Sequence, residues 1–199
     1  MQTITALFDD YDEAADAVGA LESIGVPSSD ISIMANNARG WYRNTQSPAA
    51  EDAASGAGIG AVVGGAGGLA TGLGAMAIPG VGPVVAAGWL AATAAGAVAG
   101  AVVGGAAGGI IGGLTNAGVP EQDAHVYAEG VRRGGTLVTA RVEDDLASEA
   151  GEVLRSSASV NIADRRSEYQ ADGWAEFDPA ARDYSADDVE REAARRRQA

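Results

Sequence analysis

The sequence predicts an α+β fold: a ferredoxin-like βαβ…αβαβ domain interrupted by an antiparallel Gly/Ala-rich helical hairpin. Three observations carry it. Strand and helix periodicities alternate at the start of the chain and again after residue 117. Between them, Ala53 to Pro120 contains no Asp, Glu, Lys or Arg. Within that run the glycines recur every four residues, at Gly56, Gly60, Gly64, Gly68 and Gly72, then at Gly96, Gly100, Gly104, Gly108 and Gly112. A four-residue step lays small residues along one stripe of an α-helix.

In chain order, residues 1–35 form the first half of the domain. Thr3-Ile4-Thr5-Ala6-Leu7-Phe8 alternates as a strand. Asp10, with Glu13 three residues on, reads as a capping box. Tyr11, Ala14, Ala15, Val18 and Leu21 line the following helix, and Gly25 and Pro27 end it. Ile31, Ile33 and Ala35 alternate as a second strand. Residues 36–52 are a polar linker in which Trp41 and Tyr42 pack on the nearest apolar surface.

Residues 53–117 are the glycine-zipper hairpin, with its turn at Ile78-Pro79-Gly80-Val81-Gly82-Pro83. Residues 118–163 supply the second half. Pro120 opens a helix with Ala124, Tyr127, Ala128 and Val131 inward, and Gly134-Gly135 closes it. Thr136 to Val142 is a strand. Leu146, Ala150, Val153 and Leu154 face inward from a further helix, and Val160 and Ile162 alternate as a last short strand. Four strands with two crossover helices on one face result. Residues 164–199 read as an acidic flexible tail with a transient helix near residues 186–197.

Glycine costs a water-exposed helix roughly 1 kcal/mol relative to alanine, so the nine glycines from Gly56 to Gly74 cost roughly 9 kcal/mol by simple addition. Such a helix needs something packed against it. One environment is a bilayer, which enforces helix and accommodates glycine at helix contacts. Arms of about 22 to 30 residues are long enough to span it. Arg39 and Arg43 before the hairpin and Arg132 and Arg133 after it place both termini in the cytoplasm. Trp89 then sits at the far interface. A second environment is an assembly without membrane contact, in which hairpins of several chains zip together. A third reading is a Gly-rich linker, against which the fixed spacing and the interleaved Ile59, Val62, Val63, Leu69 and Leu73 speak.

The net charge of −14 argues against nucleic-acid binding and against a polybasic lipid anchor. The chain has no cysteine and one histidine, His125, so thiolate and histidine-cluster metal sites are excluded. Met1-Gln2-Thr3-Ile4-Thr5 has neither the basic start nor the apolar core of a secretory leader. Gly65-Ala66-Gly67-Gly68-Leu69-Ala70 matches a dinucleotide fingerprint by chance, since no strand precedes it. Asp9/Asp10 and Asp144/Asp145 stand at helix starts, where capping accounts for them. Arg132-Arg133 complements a helix C-terminus. No catalytic, cofactor-binding or metal residue is assigned, no cofactor is expected, and the chain is expected not to be an enzyme.

The turn Gly80-Val81-Gly82-Pro83-Val84-Val85-Ala86-Ala87-Gly88 resembles the bacterial heat-induced general stress proteins of the YflT type. So do Gly118-Val119-Pro120-Glu121, Tyr127-Ala128-Glu129-Gly130-Val131-Arg132-Arg133-Gly134-Gly135 and Asp164-Arg165-Arg166. The resemblance covers roughly residues 2–166 and implies a stress-response role without a reaction, cofactor or catalytic residue. The expectation is a non-enzymatic general stress protein whose hairpin associates with membrane lipid, self-assembles into a homo-oligomer, or does both. The ladder glycines, with Gly60, Gly64, Gly68, Gly100, Gly104 and Gly108 at its centre, form the packing stripe; Pro79, Gly80, Gly82 and Pro83 form the turn. The alternative is a soluble cytoplasmic scaffold or ligand-sensing module whose hairpin only oligomerises it.

Overall fold

The computed structural model describes residues 1–42, 74–93 and 109–198. The chain opens as anticipated with β1 (Gln2–Phe8), α1 (Tyr11–Ser23) and β2 (Ile31–Asn36). Asp10 caps α1 by accepting from the Asp12 N–H at 2.8 Å; Glu13 takes no part in the cap. Gly25, at φ +97°, turns the chain out of the helix. Trp41 packs on Tyr11 at 4.7 Å between ring centroids, and its indole N–H donates to the Asn36 carbonyl.

The region assigned to a helical hairpin instead contains two strands, β3 (Gly74–Ile78) and β4 (Gly82–Ala87). Of the expected turn residues, Pro79 and Gly80 lie in a turn that joins strands, while Gly82 and Pro83 already belong to β4. Gly80 and Gly82 have φ of +75° and +92°, and the Val81 N–H donates to the Ile78 carbonyl at 3.0 Å. The reason is non-local. The β2 edge needs a partner for its backbone groups, and Val84 and Val85 are β-branched residues suited to fill it. β4 pairs antiparallel with β2, Met34 opposite Ala86, and β3 pairs with β4.

After the next undescribed stretch come α2 (Ile110–Asn116), α3 (Glu121–Arg132), β5 (Thr136–Val142) and α4 (Ala147–Ser156). The antiparallel sheet runs β1-β5-β2-β4-β3. The alternation along each strand builds two cores. Phe8, Ile31, Ile33, Val138 and Ala140 meet Ala14, Ala17 and Leu21 of α1 and Ala150 and Leu154 of α4. On the opposite face Leu7, Met34, Val84 and Leu137 meet Ile110, Ile111 and Leu114 of α2 and Ala124, Ala128 and Val131 of α3. The fold is therefore α+β, with helices on both faces of the sheet.

The expected last strand at Val160 and Ile162 does not form. Val160 makes one backbone bond to the Leu7 carbonyl at the β1 edge, at 2.8 Å. Asn161 then caps α5 (Ile162–Ala171), accepting from the Ala163 and Asp164 N–H groups. A good N-cap with an acid in the first turn outweighs a two-residue alternation. The segment expected as a flexible tail also folds. α6 (Ala186–Arg196) starts at a capping box between Ser185 and Asp188, and Tyr169, Phe177 and Val189 are buried.

Among the described residues, no helix is long and apolar enough to cross a membrane. Trp89, expected at a membrane interface, lies beneath the Arg141 guanidinium, 4.9 Å from its ring centroid.

Gly88 marks the point where β4 leaves the sheet. Its φ is +91°, and a Cβ there would lie 2.2 Å from the Ile31 carbonyl oxygen. Beside it, Ser32 Oγ accepts from the Leu90 N–H at 2.9 Å. Gly88→Ala combines a left-handed backbone with a clash against backbone. It is expected to cost about 3 kcal/mol or more, read as a lowered urea midpoint with an unchanged slope.

Candidate functional site

Of the ladder glycines, Gly56, Gly60, Gly64, Gly68, Gly72, Gly96, Gly100, Gly104 and Gly108 lie outside the described residues. Gly112 lies within α2 and is half-buried. The close helix contact there belongs to its neighbour Gly113, where a Cβ would approach Leu90 Cδ1 to 2.7 Å. The turn glycines are packed from outside. A Cβ on Gly80 would lie 2.6 Å from Pro179 Cα, and one on Gly82 would lie 3.2 Å from Asp183 Cβ.

The densest chemistry gathers where β1, α3, α5 and α6 meet. α3 comes close to the sheet because Gly130 carries no side chain; a Cβ there would sit 2.5 Å from Leu7 Cδ2. That approach buries the adjacent Glu129 completely. Its carboxylate accepts from Arg133 Nε at 2.6 Å and from Arg132 Nη1 at 3.0 Å. The i+3 and i+4 spacing makes this trio local to one helix. Arg133 also lies over the Tyr169 ring, 4.2 Å from its centroid, and reaches Glu192 of α6 at 3.5 Å.

A second cluster adjoins the first. Arg165 of α5 donates through both Nη atoms to Asp9, each at 2.8 Å, in the fork geometry that binds carboxylate best. Arg196 of α6 joins Asp9 from the other side and donates to the Arg133 carbonyl at 2.7 Å. Arg195 bridges Glu192 at 2.8 Å and Asp172 at 2.6 Å.

These pairs set the protonation states. Burial opposes the charge on Arg133, but hydrogen bonding to Glu129 overrides it and holds the guanidinium above its ordinary value. Arg165 behaves alike through Asp9. Burial pushes Asp9 upward, yet Arg165 and then Arg196 carry it below the usual carboxylate range. Tyr169 is raised by burial against the nearby arginines. Tyr127, raised to about 12 by burial first and then by Asp123, donates its hydroxyl to the Thr5 carbonyl. Each carboxylate of this cluster accepts from arginine, so none is poised to take a proton from a substrate. His125 is engaged as well: its Nδ1 accepts from the Phe177 N–H at 3.2 Å. Among the described residues, no group of His, Cys, Asp and Glu is arranged to hold a metal ion.

Two open cavities lie on the described body, one at the opposite end of β1 from Asp9 and one beside α3 and α5. One, about 310 Å³, is lined by Gln2, Trp89, Thr93, Asn116 and Arg141. The other, about 360 Å³, is lined by Glu121, His125, Arg166, Gln170 and Trp174. Arg166 is committed to Asp123, and neither cavity pairs a nucleophile with a base.

The Arg132-Arg133 pair, expected to complement a helix dipole and to mark the inside of a membrane, has Glu129 as its partner. Glu129 at i−3 and i−4 was the available signal. The cluster's other half was hidden because Arg165, Tyr169, Glu192 and Arg196 all fall in or beside the segment read as a tail. No family model, curated protein or solved structure matches this chain.

Two outcomes follow. Glu129→Ala leaves Arg133 buried without its main carboxylate and is expected to cost about 3–5 kcal/mol in urea unfolding. For Asp9, the folded carboxyl titrates below the unfolded one, so the unfolded state binds more protons and stability rises with pH through that window. Its contribution is fully present above the ordinary aspartate value near 4 and is lost as pH falls below it. The stability gap between wild type and Asp9→Asn should therefore narrow on acidification below about pH 4; a gap constant with pH contradicts the assignment.

Proposed function

We propose that the protein is a non-enzymatic stress-response module that self-associates through its two glycine-rich segments. The observation that carries this reading is where those segments are tied. Residues 43–73 leave from the loop after β2 and return at Gly74 of β3; residues 94–108 leave after Thr93 and return at Gly109, beside Ile78. Both therefore start and finish on one α+β body.

That attachment weighs against a spanning hairpin. A segment anchored twice on one body has to cross a bilayer and come back. The 15 residues from 94 to 108 extend about 22 Å even as a continuous helix, short of one ~30 Å crossing. The uncharged residues 53–73 reach about 32 Å, enough for one crossing but not two. Packing against a second copy asks for no such length. It also supplies the neighbour that a glycine-rich backbone needs if it is to be ordered. The resemblance to general stress proteins supplies the context, and the absence of a poised acid, base or nucleophile in the cluster fits a role in assembly. Lipid contact then takes the form of surface attachment rather than spanning.

Replacing Gly64 and Gly104 together by Leu is expected to abolish association in sedimentation velocity while leaving the circular dichroism of the body unchanged. Flotation with phosphatidylglycerol-containing vesicles separates the second reading, since a protein attached to lipid floats. Sedimentation unaffected by the double replacement sinks the assembly reading.

A further inference from the structure

We infer that residues 172–198 form a strap fastened by charge, and that ionic strength, by releasing it, regulates the self-association proposed above. The inference rests on that reading for its consequence, but the strap and its seat stand on their own geometry.

The strap leaves α5 at Gly173, where φ is +85°, and crosses the body in one continuous path. Phe177 fills an apolar cleft between Ile78, Val81, Ile111 and Ala128, closing over the β3–β4 turn, α2 and α3. Pro179 and Asp183 then lie on Gly80 and Gly82 of that turn. α6 places Val189 on Gly134, where a Cβ would approach Val189 Cγ1 to 2.4 Å. Three bare glycines thus shape the seat for this segment.

Beyond Phe177, charge adds to the fastening. Val189 and Glu192 are the buried residues of α6. The charged contacts are Arg196 on Asp9, Arg133 on Glu192 and Asp172, and the Arg132 guanidinium 4.9 Å over the Tyr184 ring. They act beside the Phe177 N–H donated to His125 Nδ1, the bonds from Arg132 and Arg196 to the Arg182 and Arg133 carbonyls, and the Trp174 ring edge on Tyr169. Of the charged contacts, the Arg196–Asp9 pair, with its half-exposed carboxylate, is the most open to screening as the Debye length falls from about 10 Å at 0.1 M salt to about 3 Å at 1 M, while the buried Arg133–Glu192 pair is screened less.

The strap's position gives its release a consequence. It bears on the β3–β4 turn, and β3 is an edge strand that begins where one glycine-rich segment ends. The other segment returns at Gly109, against Ile78 at the same turn. Freeing the strap uncovers the cleft at the point where both segments join the body, and leaves them free to engage a second copy.

The test uses the full chain at about 0.1 M and about 1 M sodium chloride, following hydrogen exchange at residues 186–196 and 78–82 together with sedimentation velocity. Exchange at both places is expected to rise together by about tenfold at high salt, with a larger sedimentation coefficient. Arg196→Glu should give the high-salt behaviour at low salt, whereas Arg196→Lys, which keeps the charge, should stay within about twofold of wild type. Val189→Ala, which removes the apolar hold and no charge, should loosen residues 186–196 at both salts and keep the salt response. Exchange at 186–196 indifferent to salt and to Arg196→Glu overturns the inference. So does exchange that rises there alone, with 78–82 and sedimentation unmoved. A chain that sediments as one unchanging species while both regions respond together instead sinks the assembly reading and leaves the strap's coupling to the turn standing.

Discussion

The backbone ladder between β2 and β4 governs the rest of the architecture. It takes six residues from the middle of a long uncharged run and commits them to the sheet, with Ile33 opposite Ala87 and Asn36 opposite Val84. The run is thereby cut into two pieces, each tied at both ends. Without it, residues 53–117 would be long enough for a continuous hairpin of two membrane-length arms; with it, the uncharged run supplies a strand pair to the sheet. The ladder also sets the position of the β3–β4 turn, on which the C-terminal strap lies, so the strap's seat exists only because β4 is paired.

Charge then completes what apolar burial begins. Glu129 is fully buried, and a buried carboxylate is tolerable only with donors around it. Arg132 and Arg133 supply them from the same helix, and Tyr169 offers Arg133 its ring face. Asp9 performs the converse task, gathering Arg165 and Arg196 from two later helices at the end of β1. The two clusters differ in what they secure. The Glu129 trio is internal to α3, while the half-exposed Asp9 and the buried Glu192 join elements distant in sequence.

The legible parts of this fold are those whose signal is local and periodic. β1, α1 and β2 follow from a two-residue alternation, an aspartate cap and the Gly25–Pro27 stop. α3, β5 and α4 follow from inward faces such as Ala124, Tyr127, Ala128 and Val131. β3 and β4 are not legible in that way, because Gly-Ala-Met-Ala-Ile and Gly-Pro-Val-Val-Ala-Ala carry little period of either kind. Their state is decided by the open edge of β2, some forty residues earlier. The strap fails for a related reason. Phe177 and Val189 are single apolar anchors spaced too widely for any helical or strand pattern, in a segment rich in charge. Of the candidate site, Arg132 and Arg133 stand out in sequence, whereas the burial of their partner Glu129 has no local signal, because it depends on how closely α3 approaches the sheet at Gly130 and Leu7.

Glycine in this chain is not one device repeated. Within the described body, Gly88 and Gly130 admit close approach to the sheet, Gly113 admits Leu90 against α2, and Gly80, Gly82 and Gly134 clear a track for the strap. Of these, Gly80 and Gly88 keep the ladder's four-residue register, whereas Gly82, Gly113, Gly130 and Gly134 do not. The body uses each of them where one particular neighbour must come near. A ladder is the pattern expected when one whole face must stay low along its length, which is what packing against a second long, straight surface requires. That pattern, rather than glycine content as such, is the ground for proposing that the two segments associate between copies.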